Sequence, residues 1–273
     1  MNLREALGSR DNALNLVRLV LAGLVIVCHT WMIGGFAGPA FVGALGPWAV
    51  YGFFAMSGYL IAGSRLRNGF GDFLLRRAAR VLPGFWICLV VTAFAAAPVI
   101  AALLGNEYQP EAAGAFVRGN WLVWITEGSV GNTLSGAPWS ATINGSLWTL
   151  AYEFGAYVLA GLLLGLSMFR ERRAVSTGLL FVALIGAHAF AAAAGWPEGI
   201  WNTALRLGGF FAAGMLLHAV GDRIPVNWRI AAGAAVGVAA FSVVTPSVEL
   251  LALPLTYLLL WLGATVPLRW GAK

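Results

Sequence analysis

The amino-acid sequence predicts an all-α, polytopic membrane helix bundle. Of its 273 residues, 60% are hydrophobic and 10% are charged, and the mean hydropathy is +0.80, whereas an ordinary soluble domain carries about 25% charged residues. The apolar residues form long runs, and a membrane-crossing helix uses about 20 of them, so the composition has room for about eight crossings. The low charge excludes an intrinsically disordered chain. The lack of short alternating polar and apolar segments argues against an outer-membrane barrel.

Eight apolar runs follow one another along the chain, each bounded by glycine, proline or charged residues. The first run is long enough to remain as a helix and has no small-residue cleavage site of the kind that ends a signal peptide. The longest break, 105–145, is rich in Gly, Asn, Ser and Trp, and we predict that it is an outward-facing binding loop. We expect residues 1–273 to form a single integral-membrane domain. The predicted spans are 14–33, 42–62, 81–104, 146–168, 176–195, 200–218, 229–246 and 250–266.

The positions of the basic residues predict the orientation of these spans. Nearly all of the 17 Lys and Arg residues lie on one side of the predicted membrane, which the positive-inside rule identifies as the cytoplasm. Both termini are therefore predicted to be cytoplasmic, and the net charge of +6 indicates topology rather than a nucleic-acid partner. The inner set is Arg4, Arg10, Arg18, Arg65, Arg67, Arg76, Arg77, Arg80, Arg170, Arg172, Arg173, Arg223, Arg229, Arg269 and Lys273. The opposite loops carry Glu107, Glu111, Glu127, Glu198 and Glu249, with Arg118.

Residues 70–80, FGDFLLRRAAR, predict a basic amphipathic segment that lies at the inner surface, ahead of Pro83 and the third span. Two roles are open for it: anchoring to anionic lipid, or binding an anionic cofactor. Cys28 and Cys88 lie inside apolar runs, which indicates small packing residues rather than a disulfide framework or a metal site.

Ionisable residues inside the predicted spans are candidates for function, because they are costly in a membrane and usually face the bundle interior. Arg18 and His29 are 11 residues apart, so they share one helical face and lie about 16 Å apart along its axis. His29, Glu153 and Arg206 have similar predicted depths, about 6–11 Å below the outer interface, and we expect them to meet there. A carboxylate beside an imidazole fixes its tautomer and raises its basicity, as a general base needs. The alternative is an ion-pair network that only clamps the helices.

The remaining polar residues within the spans indicate packing. His188 and His218 have no comparable partner at their depth, so packing or helix capping is the favoured interpretation. Ser57 and Gly58 are typical of small-residue helix contacts, and no G-x-S-x-G nucleophile motif occurs. Three scattered histidines without zinc-ligand spacing give little support for metal catalysis.

Four stretches of the chain together resemble acyltransferase family 3, whose members are integral-membrane enzymes that O-acylate cell-surface carbohydrates. They are NLVRLVLAGLVIVCHTW (15–31), FFAMSGYLI (53–61), FLLRRAARVLPGFW (73–86) and GSLWTLAYEFGAY (145–157), and FFAAGMLLHAVGDRIP (210–225) is similar to a later family segment. The first holds the family's arginine and histidine at Arg18 and His29, and the fourth supplies Glu153. Family members have a further C-terminal span with an Asp-Leu-Ser-Tyr-Gly-like run, so the resemblance implies that this chain, which ends in PLRWGAK, lacks that span.

The resemblance also implies a reaction. An acyl group, often acetyl, would pass from cytoplasmic acyl-CoA, a donor substrate rather than a tightly bound cofactor, to a hydroxyl of a carbohydrate or glycolipid beyond the bacterial inner membrane. His29 would act as the general base or carry the acyl group, Glu153 would orient its ring and Arg206 would stabilise the oxyanion. The donor phosphates would bind to the cations at the inner face, namely Arg18, Arg76, Arg77 and Arg80.

The tryptophans near the outward loop have two possible uses, stacking on sugar rings or anchoring at the membrane interface. They are Trp121, Trp124, Trp139 and Trp148. Two other functions stay open beside acyl transfer. One is a transporter or flippase of a lipid-linked glycan, which would use the same polar pathway. The other is a non-catalytic scaffold of polysaccharide assembly.

Overall fold

A computed structural model describes residues 1–8, 11–37, 39–244 and 247–266. Within these ranges every regular element is a helix, and the only extended pairing is a single bridge between Asn2 and Pro225. The all-α prediction is therefore confirmed. The α-helices are α1 (Leu3–Gly8), α2 (Leu14–Ile33), α3 (Ala40–Arg67), α4 (Phe70–Val91), α5 (Ala97–Leu104), α6 (Pro110–Asn120), α7 (Thr149–Leu163), α8 (Ser167–Glu171), α9 (Arg173–Ala193), α10 (Ile200–Ala219), α11 (Trp228–Val244) and α12 (Ala252–Thr265).

Six helical segments in the described ranges are long and apolar enough to cross a membrane, which makes the chain a polytopic membrane protein. Two shorter apolar helices, Thr149–Leu163 and Trp228–Ser242, coincide with predicted spans. The predicted count of eight and the cytoplasmic location of both termini stay predictions. Arg10, Arg269 and Lys273, which contributed to the predicted orientation, lie outside the described residues.

The third predicted span begins earlier in the structure than the sequence indicates. One helical segment runs from Phe70 to Leu104, 35 residues, with Pro83 inside it and a π-helical turn at Thr92–Ala96. The basic segment 70–80 is helical, as predicted, but it does not form a separate element ahead of Pro83. A proline inside a helix removes one backbone hydrogen bond. A membrane helix tolerates this loss, because neighbouring helices supply partners for the freed backbone groups.

The described chain divides into two compact units, and the first comprises residues 1–23, 48–70 and 158–273. Its centre is α10, which packs against α9 and α12. A Cβ atom at Gly58 of α3 would overlap the carbonyl of Phe211, and one at Gly214 would overlap the carbonyl of Ala55. The backbones of α3 and α10 are therefore in direct contact, which confirms the small-residue interpretation of Gly58.

Replacing Gly58 with alanine is expected to lower the free energy of unfolding by about 1–3 kcal/mol, because the added methyl group meets a backbone carbonyl that no rotamer change relieves. Thermal unfolding in detergent measures the effect. The matched control is Gly233→Ala in α11, where an added Cβ has nothing within 4 Å. Equal melting temperatures for the two variants would contradict the close contact of α3 and α10.

The N-terminus of the first unit lies beside the turn that follows α10. The Leu3 N–H donates to the carbonyl of Ile224 at 2.9 Å, and the Ala13 N–H donates to the carbonyl of Gly263, near the end of α12, at 2.7 Å. Leu3 is completely buried. The start of the chain, the α10–α11 turn and the end of α12 therefore share one side of this unit.

The second unit comprises residues 24–47 and 71–157. Its core contains Phe85 and Leu89 of α4 and Phe116 of α6, together with further residues of the outward segment 105–145 that include Val123 and Val130. The predicted loop 105–145 thus contains a helix and contributes to the core. The buried Asn120 orders this segment, because its side chain donates to the Glu127 carbonyl and accepts from the N–H groups of Thr126 and Glu127.

Candidate active site

His29 lies in the last turns of α2 and is half-buried. Its Nδ1 atom is 2.8 Å from the carbonyl oxygen of Val25, one helical turn earlier. Because a carbonyl only accepts hydrogen bonds, we assign the proton of the neutral ring to Nδ1. This tautomer leaves a lone pair on Nε2, the form that accepts a proton from a substrate.

The edge of the His29 ring lies against the backbone of Gly145. A Cβ atom at Gly145 would be 2.8 Å from Cδ2 and 3.2 Å from Nε2 of His29. Any side chain at position 145 would therefore displace the imidazole. In the sequence, Gly145 is the first residue of the family-like stretch 145–157. Nothing in its spacing from His29 predicts that the two residues are neighbours.

The turn that contains Gly145 is held by Asn144. The Asn144 Oδ1 atom accepts hydrogen bonds from the Ser146 hydroxyl at 2.8 Å and the Ser146 N–H at 3.4 Å, and its Nδ2 donates to Cys88 Sγ at 3.4 Å. The Ile143 N–H donates to the carbonyl of Gly128 at 2.9 Å. These bonds fix the turn from both ends, so His29 faces a rigid wall. The sequence prediction missed both Asn144 and Ser146.

A cavity of about 570 Å³ opens beside His29. The turn residues Asn144, Gly145 and Ser146 form one side of it, and His29 and Thr30 of α2 form another. Val25, Ile26, Ile33 and Phe36 add apolar surface. The cavity thus combines one imidazole with hydroxyl and amide groups on an apolar background, which is the usual composition of a small-molecule site.

Glu153 belongs to α7 and is half-buried in the same unit as His29. Its carboxylate accepts a hydrogen bond from the Tyr157 hydroxyl, one turn later in the helix. The sequence predicts that Glu153 orients the imidazole, but Nδ1 of His29 is bonded to the Val25 carbonyl. The Val25 carbonyl thus orients Nδ1 of the ring, and the role of Glu153 stays a prediction.

Arg206 belongs to the first unit, where it is paired with Glu198. Its Nη1 and Nη2 atoms are 3.1 Å and 3.4 Å from the two carboxylate oxygens of Glu198. Arg206 is half-buried, while Glu198 is exposed. The sequence places Glu198 in an outer loop and gives no sign of this pairing. The expectation that Arg206 meets His29 and Glu153 stays a prediction.

The four arginines predicted to bind the donor differ in their surroundings. Arg18 is half-buried in the first unit, with its guanidinium 6.0 Å from the ring centre of Phe53. Arg76 and Arg80 are exposed on α4, and Arg77 is half-buried, 6.0 Å from the ring centre of Phe73. Arg76 and Arg80 are four residues apart, so they occupy one face of the helix and form a cationic edge within the second unit.

The sequence predicts that His188 and His218 serve in packing and have no ionisable partner. The structure confirms packing for His218 but places an acidic partner beside His188. His218 packs edge-on against Tyr59, with ring centres 5.2 Å apart. His188 is buried, and its Nδ1 atom is 3.3 Å from Glu249 Oε1. The prediction that His188 lacks a partner is therefore wrong. It failed because Glu249 was placed in an exposed loop, although the 3₁₀ turn Val248–Leu251 buries it to 1% exposure.

Three of the predicted sugar-stacking tryptophans make ring contacts within the second unit. Trp121 is stacked on Trp86 with ring centres 4.7 Å apart, while Trp124 and Trp148 lie around Tyr152. Trp139 is 39% exposed. One face of Trp121 is thus already covered, and both sugar stacking and interfacial anchoring stay predictions.

Comparisons with known proteins extend this description. Residues 11–272 match the model of acyltransferase family 3, which is described as an acyltransferase domain. A relative described as an O-acetyl transferase, from Shigella phage Sf6, is 30% identical over 155 residues, which cover 56% of this chain and 45% of that protein. The alignment therefore spans less than half the length of the relative. No solved structure matches the chain.

Proposed function

Since the chain belongs to acyltransferase family 3, we propose that it is an O-acyltransferase that transfers an acetyl group from acetyl-CoA to a hydroxyl of an exported carbohydrate. The observation that carries this proposal is the His29 ring, whose Nδ1 is held by the Val25 carbonyl and whose Cδ2–Nε2 edge lies against Gly145. His29 lines a cavity together with Asn144 and Ser146. The relative described as an O-acetyl transferase supports the choice of an oxygen acceptor. The bacterial inner membrane is the proposed location, because it separates cytoplasmic acetyl-CoA from exported glycan.

In the proposed mechanism, Nε2 of His29 takes the proton of the acceptor hydroxyl as its oxygen attacks the thioester carbonyl. The carbon–sulfur bond then breaks, the acyl group stays on the acceptor oxygen, and the imidazolium returns its proton to the departing CoA thiolate. The carboxylate of Glu153, in the same unit, stabilises the transient imidazolium. In a route through an acyl-imidazole, Nε2 of His29 attacks the thioester first and the CoA thiolate departs. The acceptor oxygen then attacks the acyl carbon, the bond from Nε2 to the acyl group breaks, and the hydroxyl proton passes to the CoA thiolate.

The proposed donor site uses the arginines near the basic end of α4. Arg77 and the exposed Arg76 and Arg80 present guanidinium groups, which bind phosphate oxygens with paired hydrogen bonds. Arg18, on the same helix as His29, is the fourth proposed ligand. The nucleotide would bind to these cations while the pantetheine arm carries the thioester toward His29.

Substituting Arg18 with alanine is expected to raise the KM for acetyl-CoA by about tenfold, the loss expected for one charge-assisted hydrogen bond. The rate is measured against acetyl-CoA concentration at saturating acceptor. Arg229→Ala is the control, because its guanidinium lies over the ring of Trp228 and it has no proposed part in donor binding. An unchanged KM in the Arg18 variant would remove this residue from the donor site.

The function is tested by comparing surface carbohydrates from cells with and without the gene. Mass spectrometry of the released glycans should show an acetyl ester that disappears with the gene and returns with the wild-type copy. Loss of glycan export with an unchanged acetyl content would instead identify a transporter or flippase. Loss of assembled glycan that the His29→Ala variant fully restores, acetyl ester included, would identify a scaffold.

A further inference from the structure

A buried pair of ionisable side chains in the first unit takes no part in the proposed mechanism. His188 of α9 and Glu249, from the turn before α12, lie 3.3 Å apart with side-chain exposures of 8% and 1%. Ionisable groups in the apolar interior of a membrane protein are costly, and they commonly mark ligand or proton pathways. The pair therefore needs an explanation beyond helix packing.

The first turns of α10 extend this pair into a larger group. Asn202, Arg206 and Phe210 follow one another at intervals of four residues, so they lie on one face of α10. Phe210 is stacked on Tyr51, with ring centres 4.5 Å apart and the planes 2° from parallel. The helix α10 also packs against α9, which carries His188, and contacts the turn Val248–Leu251, which carries Glu249. We call Tyr51, His188, Asn202, Arg206 and Glu249 the His188 cluster.

Five buried polar atoms of the His188 cluster have no hydrogen-bond partner among the described residues. They are Nδ1 and Nε2 of His188, Asn202 Oδ1, Arg206 Nε and Glu249 Oε2. His188, Asn202 and Glu249 are each more than nine-tenths buried. A cluster that only clamped helices together would satisfy its own hydrogen bonds, because each buried unpaired group destabilises the fold. These atoms instead require a partner from outside the protein.

The chemistry of the unpaired atoms restricts that partner. Glu249 Oε2 and Asn202 Oδ1 need donors, whereas Arg206 Nε needs an acceptor. Glu249 would repel an anion and Arg206 would repel a cation, so a neutral group that both donates and accepts fits best. Hydroxyl groups have this property.

We propose that the His188 cluster binds hydroxyl groups of the carbohydrate acceptor. The cluster uses residues near the C-terminus of α9, the N-terminus of α10 and the turn before α12, which the predicted topology places on the outward side, where an exported glycan is found. The identity of the ligand rests on the proposed function. The cluster is separate in sequence and in structural unit from the cavity beside His29.

The test measures acceptor binding without catalysis. Oligosaccharides prepared from the surface carbohydrate of the same cells, freed of acyl esters by mild alkali, are titrated by calorimetry into purified protein that carries His29→Ala. Adding Glu249→Gln or Asn202→Ala to this background is expected to weaken binding by about tenfold or more, because each removes a hydrogen-bonding group. Glu111→Gln, which neutralises an exposed carboxylate of α6, is the matched control and should bind as the parent does.

Each outcome decides the proposal. Unchanged affinity in both cluster variants would overturn it and would leave bound water as the partner of the unpaired atoms. Should Glu249→Gln fail to fold, as judged by its melting temperature, Asn202→Ala decides alone, since its Oδ1 has no internal hydrogen bond to lose. Acetyl transfer by the wild type together with normal binding by the variants refutes the cluster but not the function. Oligosaccharide binding that depends on the cluster, together with no acetyl transfer by the wild type, supports the cluster and refutes the proposed function.

Discussion

His29→Ala is expected to lower the rate of acetyl transfer by about 10²–10⁴-fold, the usual contribution of a positioned general base. The variant removes Nε2, on the ring edge that lies against Gly145, and leaves the cavity wall formed by Asn144 and Ser146 in place. The melting temperature should change little, since the ring is half-buried and its single hydrogen bond in the described structure is to Val25. The rate is followed as CoA release in detergent-solubilised protein.

The control for this substitution is His218→Gln, which changes a histidine that packs on Tyr59 in the first unit. It should retain transfer within a few-fold of the wild type, provided the protein folds to the same melting temperature. A His29→Ala variant with more than a tenth of wild-type activity would remove the base from the mechanism. Mass spectrometry of acid-quenched protein then separates the two routes, because an acyl-imidazole adds the mass of the acyl group to the peptide that contains His29.

Gly145→Ala is expected to lower kcat by about 10²-fold, because displacement of a catalytic group by about an ångström costs a factor of this size. The new methyl group would meet Cδ2 of His29 at 2.8 Å and Nε2 at 3.2 Å, so the imidazole must move. The KM for acetyl-CoA should stay near the wild-type value, because the proposed phosphate ligands are elsewhere on α2 and α4. Initial rates over a range of donor concentrations give both constants.

The matched control is Gly155→Ala in α7, in the same unit, where an added Cβ meets nothing within 4 Å. That variant should keep the wild-type kcat, and the helix gains slightly from alanine. Equal kcat values for the two glycine variants would show that the close approach of Gly145 does not position His29. Loss of folding in Gly145→Ala alone would give low protein yield and a lower melting temperature rather than a lower kcat of folded protein.

The sequence predicts the helical spans well because their signal is local. A long apolar run by itself indicates a helix buried in lipid. The first predicted span, 14–33, accordingly coincides with α2. Pro83 was read as a boundary, although a membrane helix surrounded by neighbours continues through proline. The helix within 105–145 was missed because Pro110–Asn120 has too few apolar residues to stand out in a hydrophobic chain.

The candidate site is predicted only in part, because several of its contacts join distant segments. His29 and Glu153 stand out as ionisable groups in apolar surroundings. The role of Val25 follows from the four-residue spacing to His29, a pattern that sequence reasoning alone can recognise in a helix. Gly145 has no such local signal, because it is identified only by the tertiary approach of its turn to α2. Glu249 was misplaced for the same reason, since α9 supplies its partner.

The long helical segment from Phe70 to Leu104 has a consequence for the choice of donor. Cys88, which anchors the Asn144 turn, is eight residues from Arg80 and twelve from Arg76 on α4, or about 12 and 18 Å along the axis. This length of helix separates the proposed phosphate ligands from the turn that lines the cavity beside His29. A donor that binds to both under the proposed function needs a flexible arm between its phosphates and its thioester. Acetyl phosphate, in which the phosphate and the acyl group are adjacent, is too short to reach both the arginines of α4 and the cavity beside His29.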